Sequence, residues 1–276
     1  MYTILEKQTL SEQVKKMVIN APLIAKKAKA GQFIILRVHE NGERIPLTIA
    51  DHDEDKGTIT LIFQEVGKTT MHLGMLNEGE SLQDLVGPLG KASHFPEGTK
   101  KAAVIGGGLG TAIAYPQAKE LHRLGVEVTS IAGFRNKDLV LLEKELEDVS
   151  DKVIITTDDG SNGNKGFVTD ALKKEIEAGE KFDLVIAIGP LVMMKYVSLL
   201  TKEYGIKTIV SMNSIMIDGT GMCGGCRVTV AGETKFACVD GPDFDGHEID
   251  FDEAMRRQGM YREQEGESCN LFRGVK

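Results

Sequence analysis

The residues with the clearest chemistry are three thiols, Cys223-x-x-Cys226 followed by Cys238, with glycine at 219, 221, 224 and 225 around them. Thiolates bind zinc or iron–sulfur clusters, and such centres take four ligands, so one must come from another residue type. The plant-type iron–sulfur spacing places a ligand five positions before the first of these cysteines. Here that position is Asp218, giving Asp-x4-Cys-x2-Cys-x11-Cys. Cys269, the remaining thiol, and His247 compete for the place, and the spacing favours Asp218. On these residues alone the metal stays open. Zn²⁺ accepts three thiolates and one oxygen or nitrogen ligand, whereas a glycine-rich loop can bring backbone N–H groups to the sulfurs of a cluster.

A second feature is "VIGGGLGTAIA", where Gly106, Gly107, Gly108 and Gly110 join an apolar run to a helical pattern. Such glycines let a backbone turn sharply and approach a pyrophosphate at a helix N-terminus. The spacing departs from the dinucleotide fingerprint, since Thr111 stands where its third glycine would fall, and a tight structural turn is the plain alternative. Two later loops, "TTDDGSNGNKG" with Asp158, Asp159 and Gly160, and "AIGP" with Gly189 and Pro190, follow apolar runs in the same way. Arg135 ends the second run where an acidic residue would hold a ribose. It suits a 2′-phosphate, or it only forms a surface ion pair.

A third set lies nearer the N-terminus. "RIPLT" combines the guanidinium of Arg44 with Pro46, Leu47 and Thr48, and "VGKTT" offers Gly67, Lys68, Thr69 and Thr70 as donors to a diphosphate. With the turn "VGPLG" at 86–90, these suit a flavin.

These groups need three kinds of framework. Residues 1–97 are β-rich, with six or so short strands separated by turn-forming "HENGE" and "DHDEDKG", which predicts a small barrel. Residues 98–211 alternate apolar strands with helices, which predicts a doubly wound parallel sheet. Residues 212–246 hold the thiols and too few large apolar side chains for a core of their own, so a bound inorganic group is expected to hold the segment together. Residues 247–276 form a tail with a possible short helix at "DEAMRRQGMYREQ". Between Asp240 and Glu253 lie seven acidic residues and no basic one, which reads as a solvated cap over the thiols or, alternatively, a docking surface.

The chain has 276 residues, enough for two modest domains without disulfides. Its charge of −8 argues against nucleic acid or an anionic membrane as partner. No apolar run is long enough to span a bilayer and no signal segment begins the chain, so a cytoplasmic location is expected. There is no evident nucleophile, catalytic dyad or metal-hydrolase motif.

Taken together, "RIPLT", "VGKTT", "VGPLG", "VIGGGLGTA", "TTDDGSNGNKGFVTD" and "CGGC…CVDGPDF" resemble the ferredoxin-reductase-like flavoproteins that end in a 2Fe-2S segment. Two branches are similar: the electron-transfer subunit of dihydroorotate dehydrogenase, and the small subunit of NADH-dependent ferredoxin:NADP oxidoreductase. The resemblance implies a β-barrel for FAD, an α/β domain for NAD(H) and a C-terminal 2Fe-2S segment. It also implies hydride exchange between nucleotide and flavin, with single electrons passing through the cluster. The dihydroorotate branch normally has four cysteines, so Asp218 looks like the oxidoreductase branch, known for three Cys and one Asp ligand. That branch implies a heterodimer with a larger flavo-iron–sulfur subunit, electron bifurcation at the partner's flavin, and ferredoxin reached only through that partner. Ile188 departs from the cysteine that many relatives carry before Gly-Pro. A zinc-stapled nucleotide-binding regulatory protein is the expectation from another class.

Overall fold

The computed structural model describes residues 2–274. In the first third, apolar and polar residues alternate, the pattern of strands that bury one face. The elements there are β1 (Tyr2–Ser11), β2 (Val14–Asn20), α1 (Pro22–Ala25), β3 (Phe33–Arg37), β4 (Arg44–Asp53), β5 (Thr58–Gln64), α2 (Lys68–Met75), β6 (Ser81–Leu82) and β7 (Asp84–Leu89). The seven strands form one antiparallel sheet in the order β6-β1-β2-β5-β4-β3-β7, curled into a nearly closed barrel whose interior holds Met17, Ile34, Leu61 and Phe63. The strand beyond the expected six is β6, only two residues long.

The alternating half follows as β8 (Lys101–Gly107), α3 (Gly110–Arg123), β9 (Glu127–Phe134), α4 (Glu143–Glu147), β10 (Lys152–Thr157), α5 (Val168–Glu177), β11 (Leu184–Ile188), α6 (Leu191–Glu203) and β12 (Lys207–Ser211). Nearly every residue of β8 and β11 is buried, as central parallel strands covered on both faces require. The parallel order is β10-β9-β8-β11-β12, with α3 covering one face and α5 and α6 the other.

The remaining elements are β13 (Arg227–Val230), β14 (Glu233–Phe236), β15 (Asp243–Asp245), α7 (Phe251–Gln258) and α8 (Arg262–Arg273). β13 and β14 make a hairpin, and β15 adds antiparallel to β12 with Ser211 opposite Asp243. The acidic stretch is thus only in part solvated: Asp245, Glu248, Asp250 and Asp252 are exposed. Three of its residues complete the parallel sheet, and the carboxylate of Asp243 is enclosed. The tail holds two helices rather than one, broken at Gly259, and α8 returns to pack on α2 of the barrel.

The three parts share cores. Phe33 and Ile35 of the barrel lie in one apolar cluster with Val185, Met212, Cys226, Val228 and Cys238. Ala50 and Ile62 pack with Ala112 and Phe134 across the other joint. There Lys119 Nζ also meets Asp51 at 2.8 Å, a surface ion pair worth little by itself.

Candidate functional site

The loop from Asp218 to Cys238 brings its donors together in two pairs. The Cys226 thiol donates to Cys238 Sγ at 3.3 Å, and the Asp218 carboxylate accepts the Cys223 N–H at 2.6 Å and the Thr220 N–H at 2.9 Å. The Thr220 N–H, followed by that of Cys223, holds the Asp218 carboxyl below the usual carboxylate range, so it is an anion ready to act as a ligand. Burial, then the adjacent Cys226 thiol, pushes the Cys238 thiol up to about 12. The Cys238 thiol therefore stays protonated until a metal displaces its proton. The N–H groups of Gly225 and Cys238 approach Cys223 Sγ and Cys226 Sγ at 3.5 Å each. Three soft donors and one hard anion on one loop are a donor set that suits an iron–sulfur cluster, as it also suits zinc. Among the described residues no three His, Cys, Asp or Glu side chains converge on one ion position.

Of the competing fourth ligands, His247 faces α6, with Nε2 at 3.0 Å from Thr201 Oγ1. Cys269 is half-buried on α8, the helix that packs on α2. Gly219 sets the loop against the barrel: its φ is +72°, and a Cβ there would come within 2.6 Å of Leu89 and 3.0 Å of Ile35.

On the barrel, the "RIPLT" strand and the "VGKTT" helix meet through Thr69, whose hydroxyl donates to Glu43 Oε2 at 3.0 Å. Thr70 Oγ1 accepts the Gly67 N–H at 3.0 Å and so caps α2. Both hydroxyls are thus committed, and the backbone N–H groups of the first helical turn are the donors left for an anion. Arg44 lies opposite Arg37 in the β3–β4 register. Arg37 donates through Nε to Asp84 at 2.7 Å, while Arg44 is exposed and makes no ion pair among the described residues. Pro46, Leu47 and Thr48 continue the strand, half-buried. An exposed guanidinium, next in sequence to the Glu43 that binds Thr69 of α2, suits a diphosphate.

The nucleotide candidates line the C-terminal edge of the parallel sheet, where open α/β sheets bind ligands. Gly106, Gly107 and Gly110 are required by packing. A Cβ at Gly106 would meet Thr111 Cα at 2.6 Å, one at Gly107 Met193 Sδ at 2.4 Å, and one at Gly110 the Ile188 carbonyl oxygen at 2.3 Å. Gly108 differs, with φ +55° and open space where a side chain would stand, so it is the glycine that leaves room for a phosphate. Thr111 is buried beneath the loop, and its hydroxyl finds no partner among the described residues. Gly189 abuts Gly107, and Pro190 caps α6. Arg135 and Asp159 join the ends of β9 and β10, since the Asp159 N–H donates to the Arg135 carbonyl at 3.3 Å, and the Asp158 N–H reaches Phe134 at 2.9 Å. Hydrogen bonds from Ser161, side chain then backbone, hold the Asp159 carboxyl below its ordinary range. Gly160 turns with φ +78°.

Two groups escape a sequence reading. Asp243 accepts from Ser93 and Gln117, and His72 on α2 packs between His39 and Phe272 of α8. The single aromatic in the largely polar α8, beside Leu271, is the one signal for the second.

Residues 1–94 match the model of the oxidoreductase FAD-binding domain, and residues 213–250 that of the iron-sulfur cluster binding domain of dihydroorotate dehydrogenase B. A Clostridium beijerinckii protein known only as an uncharacterized protein in the adh 3′ region is 53% identical over 97% of this chain and 93% of its own length. A Thermotoga maritima homologue of the dihydroorotate dehydrogenase B electron transfer subunit is 46% identical over 98% of this chain and 94% of its own. A chain from the structure of NADH-dependent reduced ferredoxin-NADP oxidoreductase, described for flavin-based electron bifurcation, superposes with a TM-score of 0.93 at 45% identity, covering 99% of this chain and 98% of that one. Among the described residues no helix is long and apolar enough to cross a membrane. With a flavin-binding barrel, a nucleotide-type parallel sheet and an iron–sulfur segment in one fold, the chain belongs to the family of oxidoreductase electron-transfer subunits that includes those of dihydroorotate dehydrogenase B and their homologues.

Proposed function

We propose that this chain moves electrons between NAD(H), FAD and a 2Fe-2S cluster and passes them to a larger flavo-iron–sulfur subunit. It is the NAD(H)-facing arm of a heterodimer that carries out NADH-dependent ferredoxin:NADP oxidoreduction by electron bifurcation. The observation that carries this reading is the seat of Gly219: the residue next to Asp218 lies on Ile35 and Leu89, so the thiol loop rests on the barrel.

Arg44 and the first-turn N–H groups of α2, at Lys68, Thr69 and Thr70 after the N-cap Gly67, would hold the FAD diphosphate, with Pro46, Leu47 and Thr48 along the ring. The backbone at Gly108 would receive the nucleotide pyrophosphate, with Gly106, Gly107, Gly110 and Thr111 shaping the loop. Arg135, Asp158, Asp159 and Gly160 would flank one end of the nucleotide, and Gly189 and Pro190 the other. Asp218, Cys223, Cys226 and Cys238 would hold the cluster. FAD, when bound, supplies the exchange between two-electron and one-electron chemistry that side chains lack. The protein's part is to keep these sites close, and the shared core around Phe33, Ile35, Cys226 and Cys238 serves that end. The corresponding domains are 1–97, 98–211 and 212–246, with the tail from 247.

The 45% identity to the oxidoreductase chain, against 31% to the electron transfer subunit of dihydroorotate dehydrogenase B from Bacillus mycoides, favours the first branch. Asp218 in a cysteine's place points the same way. The test is the iron, zinc, acid-labile sulfide and flavin content of anaerobically purified protein, with the identity of the co-purifying subunit. About two irons and two sulfides per chain are expected. One zinc without sulfide would overturn the electron-transfer reading, and a dihydroorotate-oxidising partner would move the chain to the other branch.

A further inference from the structure

Asp243 is a half-buried residue with an enclosed carboxylate that the proposed electron path does not use. It follows the last cysteine, Cys238, by five positions and lies in β15 opposite Ser211 of β12. Its Oδ2 accepts the Ser93 hydroxyl at 2.6 Å, from the segment that leaves the barrel after β7, and the Gln117 Nε2 at 3.2 Å, from α3. Gln117 is fully buried, and its Oε1 finds no partner among the described residues, so only its donor end is used. The backbone repeats the joint: the Lys91 N–H donates to the Gly241 carbonyl at 2.7 Å, the Met212 N–H to that of Pro242 at 2.9 Å, and the Ser93 N–H to that of Ala30 at 2.8 Å. A Cβ at Gly31 would stand 3.2 Å from Asp243 Oδ2, so the barrel approaches this point as closely as glycine permits. No cation pairs with the carboxylate among the described residues. Burial raises its pKa, against the pull of hydrogen bonds from Ser93, Ser211 and Gln117.

We propose that Asp243 is a positioning residue: one carboxylate fastens the strand after the thiol loop to both the barrel and the glycine-loop helix, and thereby fixes the three cofactor-binding parts relative to one another. This rests on the function proposed above. A bond network that only stabilised β15 could draw its partners from the parallel sheet. Here Ser211 is such a partner, but Ser93 comes from the segment that leaves the barrel and Gln117 from the helix whose first turn carries Gly110 and Thr111.

The experiment compares the full chain with Asp243→Ala, Asp243→Asn and Gln117→Leu, the last loosening the joint from the opposite side should the alanine variant fold poorly. The readouts are amide exchange, midpoint potentials, and the rate of cluster reduction after mixing with NADH. In Asp243→Ala and Gln117→Leu, exchange is expected to rise at 91–93 and 243–246. Cluster reduction should slow at least about tenfold, as small misplacements do, with flavin and iron content and both potentials unchanged. Asp243→Asn, whose amide oxygen still accepts from Ser93 and Gln117, should restore both. Wild-type exchange and rate in the alanine and Gln117→Leu variants, faster exchange with an unaltered rate, or an asparagine variant as slow as alanine would each overturn the proposal. If wild-type protein takes up neither FAD nor iron, the function reading fails instead. Exchange alone then decides the joint: unaltered exchange overturns it and faster exchange upholds it.

Discussion

Phe272 in the C-terminal helix stands edge-on to His72 of the barrel helix, ring centroids 4.4 Å apart and planes at 90°, and His72 Nδ1 lies 3.3 Å from His39 Nε2. The contact ties α8 to α2, whose first turn is the proposed seat of the flavin diphosphate. An edge-to-face pair is worth about 0.5–1.5 kcal/mol beyond its buried area. Phe272→Ala is expected to raise amide exchange in α8 and to weaken FAD retention several-fold, measured by flavin release on dilution.

The same contact should depend on pH. Burial, then the charges of His39 and Lys68, holds the His72 imidazole below its ordinary value of about 6.5. A base depressed in the fold contributes stability above its unfolded pKa and loses it as pH falls through the folded value. Exchange protection of α8 should therefore hold at pH 7.5 and drop by pH 5. In His72→Phe, which keeps an aromatic ring without a titrating nitrogen, that dependence should flatten.

Asp243 has the opposite sign. Its folded pKa is raised, so its contribution is fully present below the unfolded carboxylate range of about 3.9 and is lost as pH rises through the folded value. Asp243→Asn stays neutral throughout. Its melting temperature should gain on the wild type as pH rises from 4 to 8, and parallel curves would falsify the assignment.

At the thiol loop, Asp218→Cys should keep about two irons while changing the EPR spectrum and the midpoint potential, because a soft thiolate replaces a hard oxygen. Cys226→Ser should lose most of the iron. Gly219→Ala should cost about 1–3 kcal/mol in a melt, since the new methyl meets Leu89 and Ile35 in a backbone conformation that disfavours side chains.

Two glycines of the phosphate loop should separate packing from binding. Gly110→Ala drives a methyl into the Ile188 carbonyl and should cost about 1–3 kcal/mol of stability. Gly108→Ala meets no atom among the described residues and should cost about 1–2 kcal/mol for its left-handed backbone. It should weaken NADH binding several-fold in a fluorescence titration, out of proportion to that loss.

Much of this is legible in the sequence because the physics is local. "KAAVIGG" and "LVIAI" are apolar throughout, which only a strand covered on both faces sustains. The thiol spacing, with Asp218 ahead of it, marks a ligand loop before any fold is known. The "DFD" of β15 is not legible. Seven acidic residues in a short stretch read as solvated, and the one that is enclosed owes this to Ser93 and Gln117, which lie far away in the chain. The commitment of the Thr69 and Thr70 hydroxyls to Glu43 and Gly67 is hidden for a related reason, since it depends on how α2 meets the β3–β4 turn. Glycine spacing cannot reveal that Gly106, Gly107 and Gly110 answer to Thr111, Met193 and Ile188, because those contacts belong to neighbouring strands and helices.

The antiparallel pairing of β15 with β12 closes an edge that the parallel sheet would otherwise leave bare. Unpaired strand edges template association between chains, and a synthesis product or proteolytic fragment ending before Asp243 would carry one. The segment that bears the thiols thus also guards solubility. A chain that fails to seat it presents a bare strand edge to its neighbours.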